Sequence, residues 1–176
     1  MQLTISGLIL IPIFLAIIFY VSKKKITPEH SLFQKITIYS SIVYAFAVIY
    51  LTFFPFQMQF GEYGNQTPWQ SRINYAPMID LSAIPNLIML APLAVYYYLM
   101  NENSSLLKAI RLGFSVTFMI ELLQFLSNYF LGGWRGADVA DLVANTLGVA
   151  IGYLIVDRVF RNADKDSQIH QFKLYN

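Results

Sequence analysis

Two carboxyl groups and an amide share one face of an apolar, membrane-length segment near the C-terminal end of the sequence. At about 100° per residue, Asp138, Asp141 and Asn145 fall within a narrow arc of a helix. Gly148 and Gly152 continue this face as a G-x-x-x-G pattern, which allows a second helix to approach closely. Because ionisable groups are costly in lipid, this arrangement indicates a functional site.

A second polar stripe follows the same helical spacing in the preceding apolar segment. It consists of Thr117, Glu121, Gln124 and Asn128. We expect these side chains to face protein, because lipid offers them no hydrogen-bond partner. Two such stripes on consecutive segments predict a shared polar interior.

The composition indicates a membrane protein with several spans. Hydrophobic residues make up 56% of the 176 residues and charged residues 12%, and the mean hydropathy is +0.50. The sequence has no cysteine, which excludes disulfides, thiolate metal sites and cysteine nucleophiles. The two histidines, His30 and His170, are predicted to lie on the opposite side of the membrane from the carboxyl groups, which argues against a serine hydrolase.

Apolar stretches of about 20 residues predict an all-α fold, a polytopic bundle of five transmembrane helices. The predicted spans are residues 3–21, 36–54, 83–100, 108–129 and 139–156. Residues 1–158 then form a single transmembrane domain, followed by a polar tail at 159–176. The long connection 55–82 either covers the mouth of the bundle or is a simple surface loop, and the sequence favours neither.

The basic residues predict the orientation of these spans. With five spans, ten of the twelve basic residues fall on one side of the membrane, and only Arg72 and Arg135 fall on the other. The positive-inside rule then places the N-terminus outside and the C-terminal tail in the cytoplasm. Losing or gaining one span would destroy this separation, so the charge distribution supports five.

In this topology the polar stripes overlap in depth beneath the outer surface. Glu121 lies about 13 Å from the outer end of its span, and Asn145 lies about 10 Å below Asp138. Arg135 is the only basic group expected nearby, and Glu121 is expected to be the most desolvated carboxyl. The predicted cavity opens to the outer leaflet and is lined by Asn86, Glu121, Gln124, Arg135, Asp138, Asp141 and Asn145.

These residues support more than one interpretation. Buried amides such as Asn86 and Gln124 can simply hold helices together, with hydrogen bonds of about 1 kcal/mol each. Three carboxyl groups around one arginine are harder to explain in that way, because the excess negative charge costs free energy. Carboxylate oxygens of Asp138, Asp141 and Glu121 could hold Mg²⁺ or Ca²⁺, or Arg135 could bind the anionic head of a lipid directly. The sequence leaves both possibilities open.

Four short motifs occur in order along the chain. They read NYAP at 74–77, NLIMLAPL at 86–93, ELLQ at 121–124 and RGADVADLVANTLG at 135–148. This combination resembles the VanZ-like family of small bacterial membrane proteins, and the fourth motif is the most diagnostic. Ala76 and Ala91 depart from the pattern, because each is smaller than the apolar residue expected before the following proline.

The resemblance implies a multi-pass protein of the bacterial cell membrane, whose namesake is associated with resistance to teicoplanin-type lipoglycopeptide antibiotics. It implies no particular reaction. Carried over residue by residue, the family motifs mark the following positions: Asn74, Pro77, Asn86, Pro92, Glu121, Gln124, Arg135, Asp138, Asp141, Asn145 and Gly148.

Three functions from different classes remain open. In the first, the cavity binds a lipid-linked envelope molecule or a lipoglycopeptide, Arg135 contacts an anion, and Glu121, Asp138 and Asp141 accept hydrogen bonds. In the second, a metal-dependent enzyme acts on a lipid-linked phosphate or sugar. Asp138 and Asp141 would hold its divalent cation, the one cofactor these residues suggest, with Glu121 as the general base. The third is lipid transport, for which five spans in a monomer are few, so that formation of a homo-oligomer would help. No nucleic-acid partner is predicted.

Overall fold

The computed structural model describes residues 2–59, 68–75, 83–133, 135–164 and 167–175. The helices are α1 (Leu10–Lys24), α2 (Leu32–Phe53), α3 (Ile84–Met100), α4 (Leu106–Leu131) and α5 (Val139–Asn162). The strands are β1 (Gln2–Ile5), β2 (Phe56–Gln59), β3 (Ile73–Asn74) and β4 (Ala137–Asp138), and three short 3-10 turns occupy Gly7–Ile9, Trp69–Arg72 and Gln168–Phe172. The prediction of five helices is confirmed.

Two short strand pairs accompany the helices of this mostly helical fold, and one of them shortens the first predicted span. β1 pairs antiparallel with β2, with Leu3 opposite Met58, so that residues 3–5 belong to a ladder and not to a helix. β3 pairs in parallel with β4. Hydropathy alone does not distinguish a short apolar strand from the start of an apolar helix, which explains the error.

Three of the described helical segments are long and apolar enough to cross a membrane. They are Gly7–Lys24, Leu32–Phe53 and Val139–Asn162. The helix α3 is apolar but has only 17 residues. The helix α4 has 26 residues, including the polar stripe found in the sequence. The chain is therefore a mostly helical protein with the apolar helices of a membrane protein.

The helices α3, α4 and α5 form the central packing unit, and α2 and then α1 are added on the α3 side. The predicted close approach at Gly148 and Gly152 is confirmed: a Cβ atom on either glycine would overlap a backbone carbonyl of α3, at Leu87 and Ala91 respectively. The G-x-x-x-G face thus lets the backbones of α3 and α5 touch.

The segment 167–175, part of the predicted polar tail, packs against the bundle. Thr37 Oγ1 donates to the Phe172 carbonyl at 2.9 Å, and the Leu174 amide donates to the Leu99 carbonyl at 2.9 Å. Carbonyls at a helix C-terminus lack partners within the helix, so this contact satisfies one at the end of α3. The helix α5 also runs beyond its predicted end, to Asn162.

Candidate functional site

The end of the bundle where α2 and α4 finish and α3 and α5 begin is called here the polar end. The helix α4 stops there because Gly132 adopts a left-handed conformation (φ 63°), which glycine enters without steric cost. Asp138 then starts α5, since its Oδ1 accepts from the Ala140 amide at 2.7 Å. Local backbone chemistry therefore fixes where α5 begins.

Asp138 also links α5 to two other parts of the chain. Its Oδ2 accepts from Asn74 Nδ2 at 2.9 Å, across the β3–β4 pair in which these residues lie opposite each other. Its backbone amide donates to Glu121 Oε2 at 2.8 Å. Three of the sequence-predicted residues, Asn74, Glu121 and Asp138, are thus directly connected.

Three carboxyl groups lie at the polar end, those of Glu121, Asp138 and Asp141, and Glu121 is the buried one. Its side chain is 6% exposed, and it is the only buried carboxyl among the described residues, as the sequence predicted. Asp138, Asp141 and Arg135 all lie close enough to act on its charge. Glu121 Oε2 accepts from the Asp138 amide, which replaces part of the hydration that burial removes.

Asp141 and Asn145 lie on the next turns of α5. The Asp141 carboxylate is half-buried, and the Asn86 side chain of α3 lies beside it. Asn145 is 1% exposed, and its Nδ2 donates to Thr117 Oγ1 of α4 at 3.1 Å. Its Oδ1 is buried and has no hydrogen-bond partner among the described residues. A buried amide oxygen without a donor is costly, so this atom is a candidate acceptor for water or a ligand.

Gln124 and Arg135 share a partner that the sequence did not reveal, the carbonyl oxygen of Thr52 at the end of α2. Gln124 Nε2 donates to it at 3.0 Å, and an Arg135 guanidinium nitrogen donates at 3.3 Å, as well as to the Leu51 carbonyl at 3.1 Å. Gln124 and Thr52 are buried, whereas Arg135 is exposed. These bonds hold the end of α2 against α4.

Arg72 corrects the expectation that Arg135 is the only basic group near the carboxyl groups. Its side chain is 8% exposed and donates to Asn128, both to the backbone carbonyl and to Oδ1, the latter at 2.6 Å. The guanidinium also lies 5.7 Å from the centre of the Tyr129 ring, within the range of a cation–π interaction. Arg72 lies in a connection without periodicity, so no pattern in the sequence predicts that it folds inward.

The close approach of this connection depends on Gly136. A Cβ atom at position 136 would overlap the Arg72 backbone carbonyl. The absence of a side chain therefore lets the Arg72 backbone lie against the start of β4, beside the Asp138 cap.

A polar recess of about 670 Å³ lies beside these residues at the polar end. Its described lining consists of Ser71, Arg72, Ile73, Asn74, Asn128, Gly136, Ala137 and Asp138. A guanidinium, a carboxylate and two amides thus share one wall. Such a set offers both hydrogen-bond donors and acceptors to a polar molecule.

The carboxyl groups do not form a metal centre of recognisable geometry. Within the described ranges, no three His, Asp or Glu side chains are grouped so that they could hold a metal ion. Both oxygens of Asp138 already accept hydrogen bonds from the protein, and so does one oxygen of Glu121. Through these bonds the two carboxyl groups hold backbone amides and the Asn74 side-chain amide in place.

The predicted site residues that the structure describes therefore lie at or near the polar end, in four groups. Asn74, Glu121 and Asp138 form one connected group, and Asn86 lies beside Asp141. Asn145 is bound to Thr117. Gln124 and Arg135 are connected through Thr52. Pro77, which the family motif also marks, lies outside the described residues.

The chain matches one family of known proteins. The family model described as VanZ/LLP1 matches residues 41–161, which contain α3, α4, most of α2 and all of α5 except its last residue. No curated protein and no solved structure matches the chain. The family match includes more than half of the chain and all the described residues at the polar end that are named above. The chain belongs to the VanZ/LLP1 family.

Proposed function

We propose that this protein is a multi-pass membrane protein of the bacterial cell envelope that binds the polar head of a lipid-linked envelope molecule or a lipoglycopeptide. In this proposal all five helices cross the membrane, the N-terminus lies outside, and the polar end faces the outer surface. The protein then contributes to resistance against teicoplanin-type antibiotics by engaging the drug or its lipid-linked target. Family membership and the apolar helices support the membrane location.

The observation that carries the proposal is the mixed polar wall at the end of an otherwise apolar bundle. Arg72 and Asp138 line the same recess, with the amide of Asn74 hydrogen-bonded to Asp138 between β3 and β4. A sugar or peptide head group presents hydroxyls, amides and charged groups, which require donors and acceptors together. A recess of about 670 Å³ is within the size range of small-molecule sites.

The orientation is supported by the charges at the two ends of the bundle. Arg158 and Arg161 lie at the far end of α5, and Lys23 and Lys24 lie at the end of α1. Basic residues concentrate on the cytoplasmic side of membrane proteins. The polar end, with its three carboxyl groups, therefore faces outward in this proposal.

The proposal is tested by the susceptibility of bacteria that express the protein to teicoplanin and vancomycin. We expect expression to raise the inhibitory concentration of teicoplanin more than that of vancomycin. Arg135 adjoins Gly136 in the wall of the recess, and Arg135→Gln should reduce this protection by about tenfold or more, because a hydrogen bond to a charged group contributes about 1.5–3 kcal/mol. Arg158→Gln is the matched control, since Arg158 is also exposed but lies at the opposite end of α5.

Protein amount and folding are measured in parallel, by immunoblot of the membrane fraction and by thermal unfolding of the purified variants. Protection that is equally reduced by both arginine variants would contradict a role for the polar end. An unchanged susceptibility to both drugs on expression of the wild-type protein would contradict the antibiotic function itself.

A further inference from the structure

A long apolar groove runs between α2 and α4, with α3 as its floor. Its volume is about 590 Å³. Its lining includes Val48 of α2, Leu93 of α3 and Met119 of α4. The Tyr44 hydroxyl donates a hydrogen bond to the Met89 carbonyl at 2.9 Å, so Tyr44 presents mainly its ring to the groove. The groove thus offers an almost purely apolar surface.

The dimensions of the groove suit a hydrocarbon chain. Its wall on α2 extends from Ser41 to Phe53, about 18 Å, and its wall on α4 from Leu112 to Leu123, about 17 Å. One leaflet occupies about half of a hydrocarbon core that is about 30 Å thick. Met119 and Leu123 on the α4 wall are 52% and 44% exposed, so the groove is open along its side. A chain could enter it sideways from the bilayer.

One end of the groove meets the polar end of the bundle. Thr52 and Phe53 line the groove and also a small niche formed with Gln124 and Arg135. The Thr52 carbonyl accepts from both of those side chains. Because Arg135 is exposed, its guanidinium lies where a lipid would place its head group if its chain occupied the groove. A cation at that position favours a negatively charged head group.

We propose that the groove between α2 and α4 binds one acyl chain of an anionic membrane lipid whose head group contacts Arg135. This inference rests on the proposed function, in which the polar end engages a lipid-linked head group, and it names the class of lipid. The groove gives specificity for a chain, and Arg135 gives specificity for charge.

The test uses the full chain in nanodiscs of phosphatidylcholine that contain a small fraction of phosphatidylglycerol with a diazirine in one acyl chain. After illumination, mass spectrometry locates the lipid adducts. We expect adducts on the groove walls, and we expect most of them to be lost in Ala45→Phe and in Met119→Trp, which fill the groove from opposite sides. Ala47→Phe is the matched control, because Ala47 is exposed on the same helix but lines the separate groove toward α1.

The charge requirement is tested with a phosphatidylcholine probe that carries the same diazirine chain. We expect it to label the groove less than the phosphatidylglycerol probe does, and we expect Arg135→Gln to remove the difference. Equal labelling of Ala45→Phe and Ala47→Phe, or equal labelling by the two probes in the wild-type protein, would overturn the proposal. Thermal unfolding shows whether each variant is folded, and the two groove-filling variants are independent of each other.

A negative result in this experiment can be distinguished from a negative result in the test of the proposed function. Labelling is read on the purified protein and needs no antibiotic effect. Groove labelling without any change in drug susceptibility would refute the antibiotic function and keep the lipid site. Drug protection without groove labelling would refute the lipid site and keep the antibiotic function.

Discussion

The Asn145 side chain donates through Nδ2 to Thr117 Oγ1, 3.1 Å away, while its Oδ1 is buried without a hydrogen-bond partner among the described residues. The two helices α4 and α5 are therefore joined by a bond that uses only half of the amide. A buried acceptor without a donor costs about 1–3 kcal/mol. The Asn145 amide therefore adds little to stability, which points to a role other than packing.

We predict that Asn145→Leu destabilises the protein by no more than about 1 kcal/mol, because loss of the unsatisfied oxygen offsets most of the cost of leaving the Thr117 hydroxyl without its partner. Drug protection should be lost if Oδ1 serves a ligand. Thermal unfolding in nanodiscs measures the first effect and the susceptibility assay the second.

The single variant Thr117→Val is the companion of this experiment. It removes the acceptor of Asn145 Nδ2 and leaves the whole amide unsatisfied, so it should destabilise the protein by about 1–3 kcal/mol. If Asn145→Leu instead proved the more destabilising of the two, the amide would be a structural bridge.

For Glu121, we predict that charge and hydrogen bonding can be separated. Glu121→Gln retains an oxygen that can accept from the Asp138 amide, so the fold should survive while protection is lost with the negative charge. Glu121→Leu removes the acceptor from a partly buried amide and should cost about 1–3 kcal/mol. Full protection by a folded Glu121→Gln protein would show that the charge has no function.

Removal of divalent cations should leave binding at the polar end unchanged. Both oxygens of Asp138 and one oxygen of Glu121 are used by protein donors, and the described carboxyl groups form no cluster suited to a metal. The measurement is drug protection and lipid labelling with and without EDTA, followed by addition of Mg²⁺, Mn²⁺ or Ca²⁺. Loss of either activity in EDTA and its return with one cation would revive the metal-dependent enzyme.

The contact between α3 and α5 gives a prediction about stability alone. Gly148→Val should destabilise the protein by about 1–3 kcal/mol, because the new side chain would overlap the Leu87 carbonyl and force the helices apart. Ile151→Val, on an exposed face of α5, is the control and should change stability by less than about 0.5 kcal/mol. Thermal unfolding of both variants measures the difference.

The sequence predicted the features that depend on helical periodicity. It identified the polar stripes, the glycine face and the burial of Glu121, because side chains at i, i+3 and i+4 share a face whatever the tertiary fold. The helix boundaries were less accurate: residues 3–5 form a strand, and α5 continues to Asn162. Apolar composition does not tell where a helix ends or which short run pairs as a strand.

The features that were missed depend on backbone atoms and on irregular chain. Thr52 contributes its carbonyl oxygen, which any residue type possesses, so no pattern in the sequence could mark it. Arg72 lies in a connection where its direction follows from the close approach of Gly136. Only tertiary structure reveals either residue.

The bond from the Asp138 amide to Glu121 also has a consequence for biosynthesis. The donor lies 17 positions after its acceptor, beyond the end of α4. In the proposed five-span topology, α4 inserted alone would therefore carry its carboxyl group into the membrane without this donor, at a considerable free-energy cost. We expect α4 and α5 to enter the bilayer together, as a helical hairpin.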